Sequence, residues 1–259
     1  MKNKFLHIFI LFILCSAFIQ KDTFKIVQKH QTFKVDNLGN VYLVNNDEII
    51  KYNQQGKLIN RYSNLQLGNI TTLDVTNPLK MIVYYKDFQQ IVFIDNQLSI
   101  NSDIINLEEL GFEQTELVCA SVNNSFWIFD KRNAELIRFN EQSKIVNRTG
   151  NLNLIFNKKI TPNYLVEQNG YVYLNCFDSG INVFDIYGTF SKTIGIKNLT
   201  QFQISNDFLI YQKDSVLISY NTKLFNETQQ KYSKVPKQVL YQNGLQYLGF
   251  NDTLIVKPI

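Results

Sequence analysis

Six aspartates, Asp47, Asp87, Asp130, Asp178, Asp214 and Asp252, fall once each in six successive segments, always between two apolar runs. A ring of carboxylates could hold a hard divalent cation, because such ions take oxygen ligands. Aspartate is equally a turn residue, since its side chain accepts hydrogen bonds from the backbone that follows it. These six sit in connections spread round the molecule rather than converging, which favours the turn role. Glu116 and Glu167 fall near strands expected to be innermost, and the sequence assigns neither a partner. Zinc finds little to bind: beyond the first 20 residues His30 is the single histidine, and Cys119 and Cys176 lack ligand spacing. There is no Gly-x-Ser-x-Gly elbow, phosphate loop or nucleophile–base pair. The sequence therefore assigns no catalytic residue, no metal ligand and no cofactor site.

The elements that carry these residues repeat. Asn37, Asn77, Asn123, Asn169, Asn206 and Asn243 recur at intervals of 40, 46, 46, 37 and 37 residues. Such a period marks stacked supersecondary units. Each Asn lies in a tight connection, as in Gln168-Asn169-Gly170 and Gln242-Asn243-Gly244, where tolerance of positive φ suits a hairpin turn. A β-branched or aromatic strand follows each one, for example Phe126-Trp127-Ile128-Phe129 and Tyr171-Val172-Tyr173-Leu174. A third strand then closes on a large apolar residue plus Asn or Asp: Tyr52-Asn53, Ile94-Asp95, Phe139-Asn140, Phe184-Asp185 and Tyr220-Asn221. Four short strands per unit and six units predict an all-β fold, a six-bladed β-propeller of four-stranded antiparallel blades. The sixth unit lacks a fourth strand, whereas Thr23–Gln28 is a spare strand ahead of the first. The amino-terminal strand is expected to complete the last blade and close the ring, removing exposed edges.

Within this repeat, the run from Asp130 to Asn140 (Asp-Lys-Arg-Asn-Ala-Glu-Leu-Ile-Arg-Phe-Asn) resembles the NHL-type blade pattern, and Asp36–Tyr42 and Tyr52–Gly56 fit it elsewhere. The resemblance spans the propeller and implies architecture. Related six-bladed families include non-catalytic binding scaffolds and the SMP-30/gluconolactonase-like metal-dependent lactonases. A lactonase would need carboxylate and amide ligands converging on the channel, and no such set maps onto this sequence.

Lys2 and Lys4 precede an apolar run from Phe5 to Cys15, followed by Ser16 and Ala17. This reads as a secretory signal peptide over residues 1–20, cleaved after Ala17 or within the next three residues, leaving a domain over 21–259. The run is too short for a membrane anchor. Cys15 raises lipoprotein processing, but the large Leu14 before it departs from the lipobox pattern. Without Lys2 and Lys4, the 26 basic residues fall to 24 against 22 acids, too even a balance for a nucleic-acid partner. Cys119 and Cys176 are expected as buried free thiols on strands too far apart to bridge.

Two blade-to-blade connections, 101–116 and 148–162, read as the longest and carry more apolar residues than a solvated loop requires. Leu107, Leu110 and Phe112 lie in the first, and Leu154, Ile155 and Phe156 in the second, with Lys158 and Lys159 at the rim. They define a candidate partner-binding patch, set against a reading in which they tuck beneath their loops as small satellite cores. The expectation is an exported, periplasmic or extracellular scaffold that binds another envelope protein. A channel-based lactonase and a glycan- or small-ligand-binding module are the alternatives.

Overall fold

The computed structural model describes residues 23–259; the leader expected at 1–20, including Cys15, lies outside them. The first strand, β1 (Phe24–Val27), belongs to the last blade. Blade 1 comprises β2 (Thr32–Val35), β3 (Val41–Asn45), β4 (Glu48–Tyr52) and β5 (Leu58–Ser63). Blade 2 comprises β6 (Thr72–Asp74), β7 (Met81–Tyr85), β8 (Gln90–Ile94) and β9 (Ile105–Asn106). Blade 3 is built from β10 (Thr115–Ala120), β11 (Phe126–Asp130), β12 (Glu135–Phe139) and β13 (Ile145–Arg148). A short helix, α1 (Leu152–Ile155), leads to blade 4: β14 (Pro162–Gln168), β15 (Tyr171–Cys176), β16 (Gly180–Asp185) and β17 (Phe190–Ile194). Blade 5 is β18 (Gln203–Ser205), β19 (Phe208–Lys213), β20 (Val216–Asn221) and β21 (Glu227–Lys231). In blade 6, β22 (Gln238–Gln242), β23 (Leu245–Gly249) and β24 (Thr253–Pro258) are completed by β1, which runs antiparallel to β24 with Phe24 opposite Val256. The fold and the closure by the amino-terminal strand agree with the sequence reading.

Two local devices recur, the first in all six blades and the second in blades 1 to 5. All six recurring asparagines lie between the first and second strands, and Asn123, Asn169, Asn206 and Asn243 adopt positive φ. Asn77 instead turns the chain by accepting from the amide of Leu79 (3.1 Å), and in blade 1 Gly39 takes the left-handed position at φ +82°. At the end of the third strand, the Asn or Asp caps the next turn. Asn53, Asp95, Asn140 and Asp185 each accept from the backbone amides two and four residues on, at 2.8–3.1 Å. Asn221 accepts instead from the amides two and three residues on, Lys223 and Leu224, both at 2.9 Å. The turn then needs a left-handed residue: Gly56, Leu98, Ser143, Gly188 and Phe225 supply it. At Gly56 (φ +75°) glycine is required twice over, because a Cβ there would lie 2.6 Å from the Phe24 ring of the closing strand.

Apolar side chains fill the seams between blades. Five buried clusters join blades 1 and 2, 2 and 3, 3 and 4, 4 and 5, and 6 and 1. The single tryptophan, Trp127, is fully buried at the 3–4 seam beside Cys119 and Cys176, both free thiols. Among the described residues no sixth cluster joins blades 5 and 6. That seam is polar: the Tyr241 amide donates to Gln203 Oε1 (2.8 Å), Gln212 Nε2 donates to the Pro236 carbonyl (2.7 Å), and Gln246 Nε2 reaches the hydroxyls of Tyr232 and Tyr241 (both 2.6 Å).

Candidate functional site

One face of the ring carries the loops between second and third strands together with the blade-to-blade connections. The six aspartates lie on it, and the side-chain hydrogen bonds of Asp47, Asp130 and Asp252 stay within their own blades. Asp130 accepts from the amide of Arg132 (3.1 Å) and from Asn133 Nδ2 (2.7 Å). Asp47 accepts from the Ser63 hydroxyl, Asp252 from Thr253 Oγ1, and Asp87 sits in the single helical turn Lys86–Phe88. Among the described residues no three His, Cys, Asp or Glu side chains gather as a metal site.

The acids on inner strands are committed to holding blades together. Glu167 is buried and accepts from Trp127 Nε1 (2.7 Å), the Val122 amide (3.0 Å) and the Ser121 hydroxyl, all in blade 3 or its first turn. Asp74 of blade 2 accepts from the Ala120 amide of blade 3 at 2.8 Å. Gln238 of blade 6 grips Phe33 of blade 1 through both its backbone amide (3.1 Å) and its carbonyl (2.9 Å). Glu116 pairs with Lys86 (2.5 Å) and Lys131 (3.5 Å). Desolvation pushes the Glu116 carboxyl up, but these two lysines outweigh it and leave it below the usual carboxylate value. Glu116 and Glu167 thus acquire partners that their own sequence neighbourhoods do not reveal. The carboxylates on inner strands already serve the amides, the indole and the ammonium groups of adjoining segments, so the donor set does not fit a lactonase-like metal centre.

The candidate patch divides on inspection. Leu107 and Phe112 are buried in the 2–3 seam, where Phe112 meets Phe139 edge-to-face at 5.5 Å and Arg148 lies over its ring at 5.6 Å. They are core, and they present no surface to a partner. Part of the 101–116 segment is strand: β9 is only two residues long, and the true connection, 107–114, matches 64–71 and 195–202 in length. The 149–161 connection is the long one. Leu152 anchors it in the 3–4 core, while Leu154 (79 % exposed) and Ile155 (50 % exposed) face solvent. Phe156 is half-buried against Phe190 (5.1 Å), and Lys158 and Lys159 are exposed. Leu110, exposed, stands in the neighbouring connection.

The described cavities lie elsewhere. One, of about 190 Å³, occupies the side of the central channel that blades 5 and 6 bound; Lys34, Tyr164, Phe202, Gln212, Asp214 and Lys237 are among its walls. Lys34 comes from β2 and Tyr164 from β14, on opposite sides of the ring, and the ammonium sits 5.8 Å from the centre of the Tyr164 ring. Tyr164 in turn packs edge-to-face on Phe202 at 5.1 Å. Sequence reasoning did not single out these residues, because nothing in Thr32-Phe33-Lys34-Val35 distinguishes a lysine that crosses a channel. A second, open hollow lies between blades 6 and 1 on the loop face, where His30, Asn46 and Asp252 meet Lys237. His30 is buried, with Nδ1 2.8 Å from the Gln28 carbonyl, so this histidine is an internal hydrogen-bonding residue.

The chain is therefore a six-bladed β-propeller whose inner-strand acids are structural and whose channel is bridged by a lysine and a tyrosine. Its solved structural neighbours include propeller enzymes and binding domains alike. A gluconolactonase from Xanthomonas campestris superposes with a TM-score of 0.65 at 8% identity, covering 91% of this chain and 89% of that one. Virginiamycin B lyase from Staphylococcus aureus gives 0.61 at 13% identity, covering 92% and 88%. The Pan2 WD40 domain of Neurospora crassa gives 0.65 at 10% identity, covering 92% and 95%. At these identities the likeness is one of fold. No protein-family model matches the sequence, and no curated protein does.

Proposed function

We propose that this protein is an exported, non-catalytic propeller that binds another protein of the cell envelope, in the periplasm or outside the cell. The observation that carries the reading is the connection between blades 3 and 4. It is rigid: Asn151 caps α1 through the Leu154 amide (3.1 Å), Asn153 Oδ1 accepts from the Ile160 amide (2.8 Å), and the Leu152 amide donates to the Ala134 carbonyl (2.8 Å). A loop held this firmly would be expected to bury its apolar side chains, yet Leu154 and Ile155 point outward beside Lys158 and Lys159. Exposed apolar residues on a pre-ordered loop suit binding, because the loop loses little conformational entropy when a partner covers them. Full cover would contribute about 1–2 kcal/mol at Leu154 and about 1 kcal/mol at Ile155, since part of each is already buried. The commitment of the inner-strand acids to blade-to-blade contacts supports a binding role over hydrolysis.

The test is a mild-detergent pull-down of the tagged chain from its native envelope, with the intact mass of the recovered protein. One stoichiometric partner, lost in the Leu154→Ser/Ile155→Ser variant at unchanged Tm, supports the proposal. A mass beginning within residues 18–21 supports export by leader cleavage. Recovery of a lone chain from the envelope, or a partner indifferent to the double substitution, sinks the binding surface.

A further inference from the structure

Every seam of the ring but one is closed by an apolar cluster; the blade 5–6 seam is closed by glutamine and tyrosine hydrogen bonds and contains a cavity. Polar side chains placed where packing would otherwise be apolar mark positions where stability yields to function. Three features of the walls define what the cavity would take. The Lys34 ammonium lies over the Tyr164 ring and forms no ion pair with any described residue, while Lys237 and Asp214, both exposed, also line the cavity. Gln212 spends its amide nitrogen on the Pro236 and Asp214 carbonyls (2.7 and 3.3 Å), leaving Oε1 buried without a partner. No water-sized molecule reaches this oxygen, so the walls leave the Lys34 ammonium as the polar anchor for a ligand. Tyr164 and Phe202 form an aromatic wall beneath Lys34.

We infer that the channel cavity between blades 5 and 6 is a binding site for a small aromatic carboxylate. The ligand carboxylate takes the Lys34 ammonium, a charge-assisted contact stronger than the cation–π contact with Tyr164 that it replaces. Its ring then lies against Tyr164 and Phe202. At about 190 Å³ the space falls below the roughly 300 Å³ at which drug-sized pockets begin, which suits a single-ring molecule and excludes a folded segment of another protein. None of Leu154, Ile155, Lys158 and Lys159 lines this cavity, so the site is independent of the protein-binding surface proposed at those residues.

The experiment is isothermal titration calorimetry on the chain lacking its leader, with 4-hydroxybenzoate, benzoate and the uncharged 4-hydroxybenzamide as probes. Saturable 1:1 binding of 4-hydroxybenzoate is expected, with the amide at least tenfold weaker. Lys34→Gln should weaken 4-hydroxybenzoate at least tenfold at unchanged Tm. The Leu154→Ser/Ile155→Ser protein should bind as the parent does, separating this site from the proposed partner surface. No saturable binding of any probe up to 10 mM, roughly a floor of 3 kcal/mol in affinity, overturns the inference. So does amide binding equal to the acid, or affinity indifferent to both Lys34→Gln and the second variant Lys34→Met.

Discussion

Asn140 and Glu167 show what one side chain can do in a repeated fold, and how differently the two are written into the sequence. Asn140 accepts from the amides of Gln142 and Lys144, at 3.1 and 2.9 Å, and so fixes the turn into β13. Its partners are its immediate neighbours, so the recurring apolar-then-Asn/Asp ending is readable by eye. Replacing Asn140 by Ala should cost about 1–2 kcal/mol, two ordinary hydrogen bonds at a partly exposed turn, measured as a lower urea midpoint at unchanged m-value. Glu167 does its work 40 residues away, on the Trp127 indole. Glu167→Leu strands that buried donor and the Val122 amide, and should cost about 3 kcal/mol or more. Because Trp127 is the only tryptophan, its emission would report the loss directly; an unchanged spectrum and melting curve would contradict the role assigned to Glu167.

At the scale of elements, the strands were legible and their exceptions were not. Short continuous runs of aromatic and β-branched residues, each following a turn Asn at the repeat spacing, identify β3, β11 and β15. The two-residue β9 leaves too little pattern to be seen, which is why its residues read as part of a long loop. The same limit misplaced Phe112: an apolar residue in a connection looks alike whether it faces solvent or the Phe139 ring. The closing strand is the element on which the ring depends. Ile26 is buried between β24 and blade 1, and Phe24 packs over Gly56. Ile26→Asp should place an unpaired charge in that cluster and release β1. Hydrogen exchange should then rise along β24 while β11 and β15 stay protected. Uniform loss of protection would mean instead that the ring opens only as a whole.

For the molecule as a whole, the unequal seams and the buried phenols set its response to solvent. Desolvation raises the phenols of Tyr42, Tyr84 and Tyr85 above the usual 10, and that of Tyr247 to about 12. These groups ionise more readily unfolded, near pH 10, than folded. The stability they carry is therefore intact below pH 10 and falls as pH rises toward 12. A titration followed at 295 nm should show late phenolate formation coinciding with the loss of buried Trp127 fluorescence. Tyrosines that ionise near pH 10 with the fold intact would contradict that assignment. The polar 5–6 seam was not legible in the sequence, since Gln203, Gln212 and Tyr241 look like ordinary strand residues until the blades beside them are known.

The closing strand also fixes an order of events. β1 is made before any blade, yet its partner Thr253–Pro258 follows only after five blades and most of a sixth. Until then blade 6 is one strand short, the edge of β24 is unpaired, and Ile26 has no core to enter. Early blades can form as they emerge, but the final joining of first-made to last-made strand waits on a contact between the two most distant parts of the described chain. Translation pauses or premature release late in synthesis would leave a nearly complete protein with an open ring and two exposed β edges, the species most prone to pair with its own copies.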